Sequence, residues 1–543
     1  MAAYSHVQGI RDEVDKLSGK NASQADLSKA LGLLQGALIY LQRKDVRELA
    51  AGNIYLYSRR PDVQRDLAIV CARMDDRENA LSSLEAMAAL SWYPSVAKTI
   101  EKDEAFTSIR SDPRFRRVVS LEVLPERLLG SSILASPYKE QLTVEERLAG
   151  LSLFWSEARL AFVYFDHVPD LDWNKVYKEY LSKVVAANST REYYHIMMQL
   201  APLLQDGHTN IYPPKELLDA RPPIGTELFG DVVLIKSVYS RSLAKTLHVG
   251  DEILAIDGVS VKRYAEQNVA PFVSSSTPQD KLVRMYDYEL LSGDASKSVA
   301  LKLRDATGAV RDQVVARAGY RDVSYESPLP FRMLPSQIAY INLDNFESED
   351  VVKAFEAALP RIQKARGLVI DVRDNGGGST IYGQMILSYL TRSSIGNPVS
   401  YYRSESAAIR AQGGVSVNLV PTADDGGPYL VQHSKVFEGP VAVLTGAHTF
   451  SAAEDFVAAF AAIHRGITVG ERTAGSTGQP LFFDLPGGGS ARICVKRDLS
   501  PDGTEFVGKG IQPTFEVHRG VADVRSGKDP VLDTATKQLA TRT

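Results

Sequence analysis

Three stretches of the chain carry residues that could do chemistry together. Ser451 stands where the apolar run Val441-Ala442-Val443-Leu444 gives way, past Gly446, to the helix-forming run Ala452 to Ile463. Gly376-Gly377-Gly378 form a cluster, and His208 follows the turn signal Asp206-Gly207. A hydroxyl at a strand-to-helix turn stands clear of the sheet, and the N–H of the next residue, here Ala452, can face a developing oxyanion. Adjacent glycines allow positive φ and bring N–H groups close to a ligand. An imidazole titrates near neutrality and can serve as a base. Acyl transfer is the chemistry this set suits, with Ser451 as nucleophile, His208 as base, and Gly376, Gly377 and Ala452 as oxyanion donors. Plainer readings stand beside it. Ser451 and Glu454, three residues apart, spell a helix capping box. The glycine cluster could cradle a phosphate, but no Lys-Ser/Thr follows it and no G-x-G-x-x-G is formed. His208 could be a solvated turn residue. His167 and His195 read as a loop and a helix histidine, and His448 is a second candidate base by its nearness to Ser451.

The elements that must position these residues follow from hydrophobic periodicity. From residue 325 to about 530 strand and helix patterns alternate: IAYINL, SEDVVKAFEAALPRIQKA, GLVIDVRDNGGGST, IYGQMILSYLT, VAVLTGA and the helix after Ser451, then GITVG. That alternation predicts a layered α/β core with its active groups at strand ends. ARICVKRDLSPDGTEFVGKGIQPTFEV is expected as two short strands around the Pro501-Asp502-Gly503 turn. Residues 145–222, which carry His208, read as helices broken at Pro169. Residues 223–322 read as a small β-rich module with turns at Val249-Gly250-Asp251 and Asp257-Gly258. Residues 1–125 read as all-helical, and RDLAIVCARMDDRENALSSLEAMAAL resembles a tetratricopeptide-type hairpin turning at Asp75-Asp76. Such a region is expected either to bind a protein partner or to cap the enzyme.

The chain has 543 residues, enough for several domains, a net charge of −4 and a pI near 6.2, so nothing points to nucleic acid. No apolar run is long enough to span a bilayer, and Met1-Ala2-Ala3-Tyr4-Ser5 leads into polar helix without a visible signal peptide. Cys71 and Cys494 fall in different expected domains, so neither a disulfide nor a metal site is expected.

Six blocks carry a family resemblance: FWSE to DGHT (154–209), L-x-x-G-D-E-I-L-A-I-D-G in the β-rich module, GLVIDVRDNGGG (367–378), TFSAAEDF (449–456), VGERTAG (469–475), and PDG with GKGIQP (501–513). In this order they resemble the C-terminal processing (tail-specific) and tricorn-core serine peptidases over residues 145–520. The resemblance implies a crotonase-like α/β spiral core, an inserted PDZ-like domain that adds a peptide's C-terminal strand to a sheet edge, and cleavage of peptides or proteins near their C-termini. It implies no cofactor and an extracytoplasmic compartment.

The tail-specific branch uses a Ser–Lys dyad, with the lysine in the loop after V-G-E-x-T. Ser476 occupies that position here. The tricorn branch draws a histidine from the segment before the PDZ-like domain, which Asp206-Gly207-His208-Thr209 matches. The resemblance therefore implies Ser451 as nucleophile and His208 as base. The acid that orients the histidine is expected at Glu505, two residues before Val507 and on the same face of a strand, with Glu471, Glu454 and the Thr209 hydroxyl as alternatives. Two other functions remain compatible: a non-catalytic ligand carrier on the same fold, as in the retinoid-binding branch, and a protease silent until a partner or substrate tail docks.

Overall fold

The computed structural model describes residues 2–51, 54–90, 94–121, 134–325, 330–421 and 433–541. It has two compact units, one of residues 1–130 and one of residues 131–420 and 426–543. In the first, the described helices are α1 (Ala2–Leu17), α2 (Gln24–Gln42), α3 (Lys44–Ala51), α4 (Ile54–Arg73), α5 (Arg77–Leu90), α6 (Pro94–Lys102) and α7 (Pro113–Val119). Leu27, Leu34 and Leu41 recur every two turns on α2, as Val63 and Val70 do on α4, and all are buried. Asp75, at φ 61°, turns α4 into α5.

The second unit is built on a six-stranded sheet of order β18-β14-β13-β10-β9-β8. Its strands are β8 (Phe331–Leu334), β9 (Ile338–Asn342), β10 (Gly367–Asp371), β13 (Val441–Thr445), β14 (Ile467–Gly470) and β18 (Phe515–Glu516). All neighbours are parallel except β8, which runs antiparallel to β9. Every residue of β10, β13 and β14 is buried, as expected for parallel strands covered on both faces. The period of two sorts them. Leu368, Ile370, Val441 and Val443 pack with Phe355, Phe456 and Phe460, which lie on α13 (Asp350–Ile362) and α16 (Ala452–Ala462). On that side α14 (Thr380–Ser388) also covers the sheet. Val369, Ala442, Leu444 and Val469 face α18 (Pro530–Ala540) on the other. β10 and β13 are parallel neighbours, so their C-terminal ends lie side by side. The glycine cluster leaves one end and Ser451 the other.

Among the described residues three further sheets complete the unit. β2 (Ile224–Phe229), β3 (Val232–Val238), β4 (Glu252–Ile256), β6 (Ser298–Arg304) and β7 (Val310–Ala316) form an antiparallel sheet in the order β2-β3-β4-β6-β7, with β5 (Val259–Ser260) paired to β4. Within this module α11 (Val261–Asn268) precedes α12 (Pro278–Val283), which runs into a π-helical turn over Arg284–Tyr288. β1 (Asn210–Tyr212), β16 (Gly489–Cys494) and β15 (Pro480–Leu485) form the second. The third has the order β12-β11-β17, from Val417–Pro421, Val399–Glu405 and Lys496–Leu499. The helices before β1, α8 (Val144–Ala161), α9 (Trp173–Ala186) and α10 (Thr190–Met197), share one apolar core with Leu485, Ala491, Ile493 and Val507. That shared core fixes residues 206–209 against the loop that follows β14.

The strand expected after Pro501-Asp502-Gly503 is short and late: it forms only as β18, and residues 500–514 stay irregular before it. Gly508 and Gly510, at φ 77° and 82°, break the extended alternation that a strand requires.

Candidate active site

Ser451 sits at φ 59°, ψ −128°, a conformation costing a non-glycine residue about 1–3 kcal/mol. Its side chain makes no capping bond to α16, so the capping-box reading fails. Glu454, the other half of that box, turns instead to the loop after β14. Its carboxyl accepts from Thr473 Oγ1 (2.5 Å), Gly475 N (2.7 Å) and Ser476 N (2.7 Å). Released from capping, the Ser451 hydroxyl lies 3.1 Å from His208 Nε2.

His208 is buried at 3 % exposure and has two polar partners among the described residues. Nε2 meets Ser451 Oγ, and Nδ1 meets Ser476 Oγ at 3.0 Å. The ring stacks on Phe450 at 4.6 Å and 19°, and Arg284 lies over the Phe450 ring, 5.0 Å from its centroid. Arg492 holds the approach to the histidine through Asn210 Oδ1 (2.7 Å) and Gly207 O (3.3 Å). Burial, with the positive charges of Arg492, Arg284 and Lys496, holds the imidazole pKa well below its ordinary value and keeps the ring neutral. Burial also pushes Glu454 up to about 8, against the opposing pull of the hydrogen bonds it accepts.

The glycine cluster lies against the serine. A Cβ on Gly377 (φ 99°) would stand 2.6 Å from Ser451 Cβ and 2.8 Å from Phe450 O. Gly377, expected as an oxyanion donor, gives its N–H to Asn375 Oδ1 at 2.8 Å. Among the described residues the N–H groups of Ala452 and Gly376 have no protein acceptor. Asn375, which sequence reasoning overlooked, also donates to Leu343 O (2.8 Å) and accepts from Phe450 N (3.0 Å), so one buried side chain with its backbone ties the cluster to the serine loop.

Glu505 does not reach His208. Its carboxylate pairs with Arg497 and lies 3.9 Å from His167 Nε2. The expectation rested on strand alternation between 505 and 507, and residues 504–506 are not a strand. Of the alternatives, Glu471 meets His518 Nδ1 (3.1 Å), and Thr209 Oγ1 donates to Asp206 Oδ2 (2.6 Å). His448 turns away from Ser451 to Asp287 Oδ2 (2.7 Å). His195 lies tilted against Phe272, with 4.6 Å between ring centroids and 51° between planes.

Glu227, Asp287 and His448 bring ligand-type atoms together, but Lys236 Nζ is already there, 2.6 Å from Asp287 and 3.3 Å from Glu227. The cluster reads as an ion network with lysine as its cation. The β-rich module reaches the site through residues 276–288. Ser276 Oγ accepts from Gly207 N (2.9 Å), Thr277 Oγ1 donates to Ala474 O (2.6 Å), and Gln279 Nε2 donates to Thr473 O (2.9 Å). A cleft of about 470 Å³ opens beside them, lined by Asn210, Tyr212, Leu218, Phe272, Arg284 and Tyr288 among others. β1 is an edge strand of its sheet and borders this cleft.

Residues 337–517 match peptidase family S41. The chain is 24% identical over 373 residues to the chloroplastic C-terminal processing peptidase of Tetradesmus obliquus, covering 64% of this chain and 72% of that protein. It is 24% identical over 277 residues to the chloroplastic carboxyl-terminal-processing peptidase 1 of Arabidopsis thaliana, covering 49% of this chain and 48% of that one. The solved structure of mature CPAF complexed with lactacystin shares the fold, with a TM-score of 0.57 at 15% identity over 73% of this chain and 98% of CPAF. Residues 337–517 are a peptidase family S41 domain, and the protein is a serine-type peptidase.

Proposed function

We propose that the protein cleaves peptides or proteins near their C-termini through an acyl-enzyme on Ser451, with His208 as general base. The observation that carries this reading is the 3.1 Å approach of His208 Nε2 to a hydroxyl held off its helix by a strained backbone. His208 takes the Ser451 proton as Oγ attacks the scissile carbonyl. The oxyanion forms beside the free N–H of Ala452 and a second donor from the glycine cluster, for which the unengaged Gly376 N–H is the candidate. Collapse expels the amine with the proton from Nε2, and water, activated in turn by His208, releases the acid.

Several features support a tail-cleaving role. Both curated relatives are named as C-terminal processing peptidases. The cleft beside β1 offers an extended peptide a free strand edge near the histidine. Residues 223–322 act, on this reading, as a PDZ-like module whose edge strand β2 receives a substrate tail. The helical unit serves a protein partner, for which its charged groove of about 570 Å³, lined by Arg11, Asp15, Asp66 and Arg73 among others, is the candidate surface. The protein works outside the cytoplasm, in keeping with relatives named for an organelle. No described helix is long and apolar enough to cross a membrane.

The test is labelling with a fluorophosphonate probe, located by mass spectrometry, on the wild type, Ser451→Ala and His208→Ala. The expected result is one adduct on Ser451, absent in the first variant and at least about a hundredfold slower in the second. A wild type that neither labels nor cleaves tail peptides would return the protein to the ligand-carrier reading.

A further inference from the structure

His208 needs something at Nδ1. A neutral imidazole has two tautomers, and only the one protonated at Nδ1 presents a lone pair at Nε2 to accept the Ser451 proton. Among the described residues no carboxylate reaches either ring nitrogen. The atom that meets Nδ1 is the hydroxyl oxygen of Ser476, at 3.0 Å and at 0 % exposure.

Ser476 is itself held on several sides. Its N–H donates to Glu454 Oε2 (2.7 Å), and its carbonyl accepts from Ser451 N (2.9 Å). The residues just before it are bound as well, Gly475 N and Thr473 Oγ1 to Glu454 Oε1, and the Ala474 carbonyl to Thr277. The loop bearing Ser476, the first turn of α16 bearing Glu454, and Ser451 therefore form one closed set of hydrogen bonds with His208 across it. Gly207 completes the fit. A Cβ there would stand 2.9 Å from Ser476 Oγ and 2.9 Å from the Phe450 ring.

We propose that Ser476 is the positioning residue of His208: its hydroxyl oxygen accepts the Nδ1 proton and so selects the tautomer that can deprotonate Ser451, while Glu454 acts at one remove by fixing the loop that carries Ser476. This inference rests on the reading of His208 as the base. In the attack the Oγ–H proton of Ser451 moves to Nε2 while the Oγ–C bond forms and the carbonyl π pair moves onto oxygen. In the collapse the C=O bond re-forms, the C–N bond breaks, and the departing amine takes that proton. Nδ1 keeps its proton throughout, donated to Ser476. The imidazolium formed between these steps is met by a hydroxyl dipole where a carboxylate would carry a full charge. That accords with the depressed pKa, since burial first, and then Arg492, Arg284 and Lys496, oppose the cation.

The measurements are the second-order rate of fluorophosphonate labelling against pH for the wild type, Ser476→Ala, Ser476→Thr and His208→Ala. A second measurement, the tautomer of His208, comes from ¹⁵N shifts of histidine-labelled wild-type protein, with the signal assigned by its loss in His208→Gln. Losing one neutral hydrogen bond and the tautomer preference should slow labelling by Ser476→Ala about 10- to 30-fold. Its acid limb should move further down in pH, because the cation loses its acceptor at Nδ1. Ser476→Thr, which keeps the hydroxyl, should recover at least half of the loss on a logarithmic scale. A merely structural role would lower the amplitude without moving the limb. The inference is overturned by Ser476→Ala labelling within about threefold of wild type with an unmoved limb while His208→Ala stays inactive. It is equally overturned by a wild-type His208 protonated at Nε2, a result that needs no variant to fold. If His208→Ala labels as fast as wild type, the reading of His208 as the base fails instead.

Discussion

Replacing Gly377 by alanine should disable the site through geometry alone. The new Cβ would lie 2.6 Å from Ser451 Cβ, 2.8 Å from Phe450 O and 3.1 Å from Ala452 N. Carbon atoms meet comfortably at about 3.5–4.0 Å, so the serine turn must retreat by about 1 Å. Its neighbours are backbone atoms or a Cβ fixed to backbone, so no flexible side-chain end can yield in its place. A retreat of that size takes the Ser451–His208 contact from 3.1 Å to about 4 Å, beyond hydrogen-bond range. Misplacement by about 1 Å costs about 10² in rate. A positive-φ alanine also destabilises the fold by about 1–3 kcal/mol. Gly308→Ala separates the two effects. Gly308 has a similar φ of 93° in the turn between β6 and β7, with nothing within 4 Å of an added Cβ. Both variants should melt lower than wild type, but only Gly377→Ala should label about a hundredfold more slowly with the fluorophosphonate probe. Labelling by Gly377→Ala within about threefold of wild type would refute the argument that its missing Cβ makes room for Ser451.

Other outcomes follow from the same geometry. Ser451→Gly and Ser451→Ala should both be inactive, but the glycine variant should be about 1 kcal/mol more stable in urea unfolding, since glycine adopts φ 59° without strain. Glu454 has its pKa raised to about 8 in the fold, so its favourable linkage is complete below the unfolded value near 4.5 and is lost as pH rises through about 8. The stability advantage of wild type over Glu454→Gln should therefore shrink from pH 5 to pH 8, as read by urea unfolding across that range. The acid limb of kcat/KM should lie below the ordinary histidine value of about 6.5, and Arg492→Gln should move it upward by removing an opposing charge. His448→Gln should keep probe labelling within about threefold of wild type, because that histidine is engaged by Asp287 and not by Ser451.

The residues that the sequence marked by type and local pattern are those whose placement depends on a single junction. Val441-Ala442-Val443-Leu444 followed by a helix places Ser451 at a strand end whatever else the chain does, and the glycines after β10 arrive beside it because parallel neighbours end together. Glu454 shows the limit of local pattern. S-x-x-E is a capping signature in an isolated helix, but three donors from residues 473–476 outbid the helix terminus for the same carboxyl, and nothing within four residues of Glu454 announces them. Glu505 was misplaced by assuming a strand where positive-φ glycines prevent one, so counting alternate faces had no meaning there. Ser476 was visible only as a missing lysine. Its contact with His208 spans 268 positions of sequence and depends on the helices of residues 144–197 sharing a core with β15 and β16.

The contacts of residues 276–288 also bear on how this chain could be recombined. The sequence pattern groups them with the β-rich module of residues 223–322, and an engineer exchanging that module would cut near those ends. Such a graft would strip the Ser276 acceptor from Gly207, the Thr277 and Gln279 donors from Ala474 and Thr473, the guanidinium from Phe450 and the carboxylate from His448. The workable seam runs inside the module, leaving α12 and the π-helical turn with the host and moving only the strands. A substitution at Thr277 or Gln279 would remove a donor from the loop after β14, so the two segments behave as one structural unit beside the candidate site.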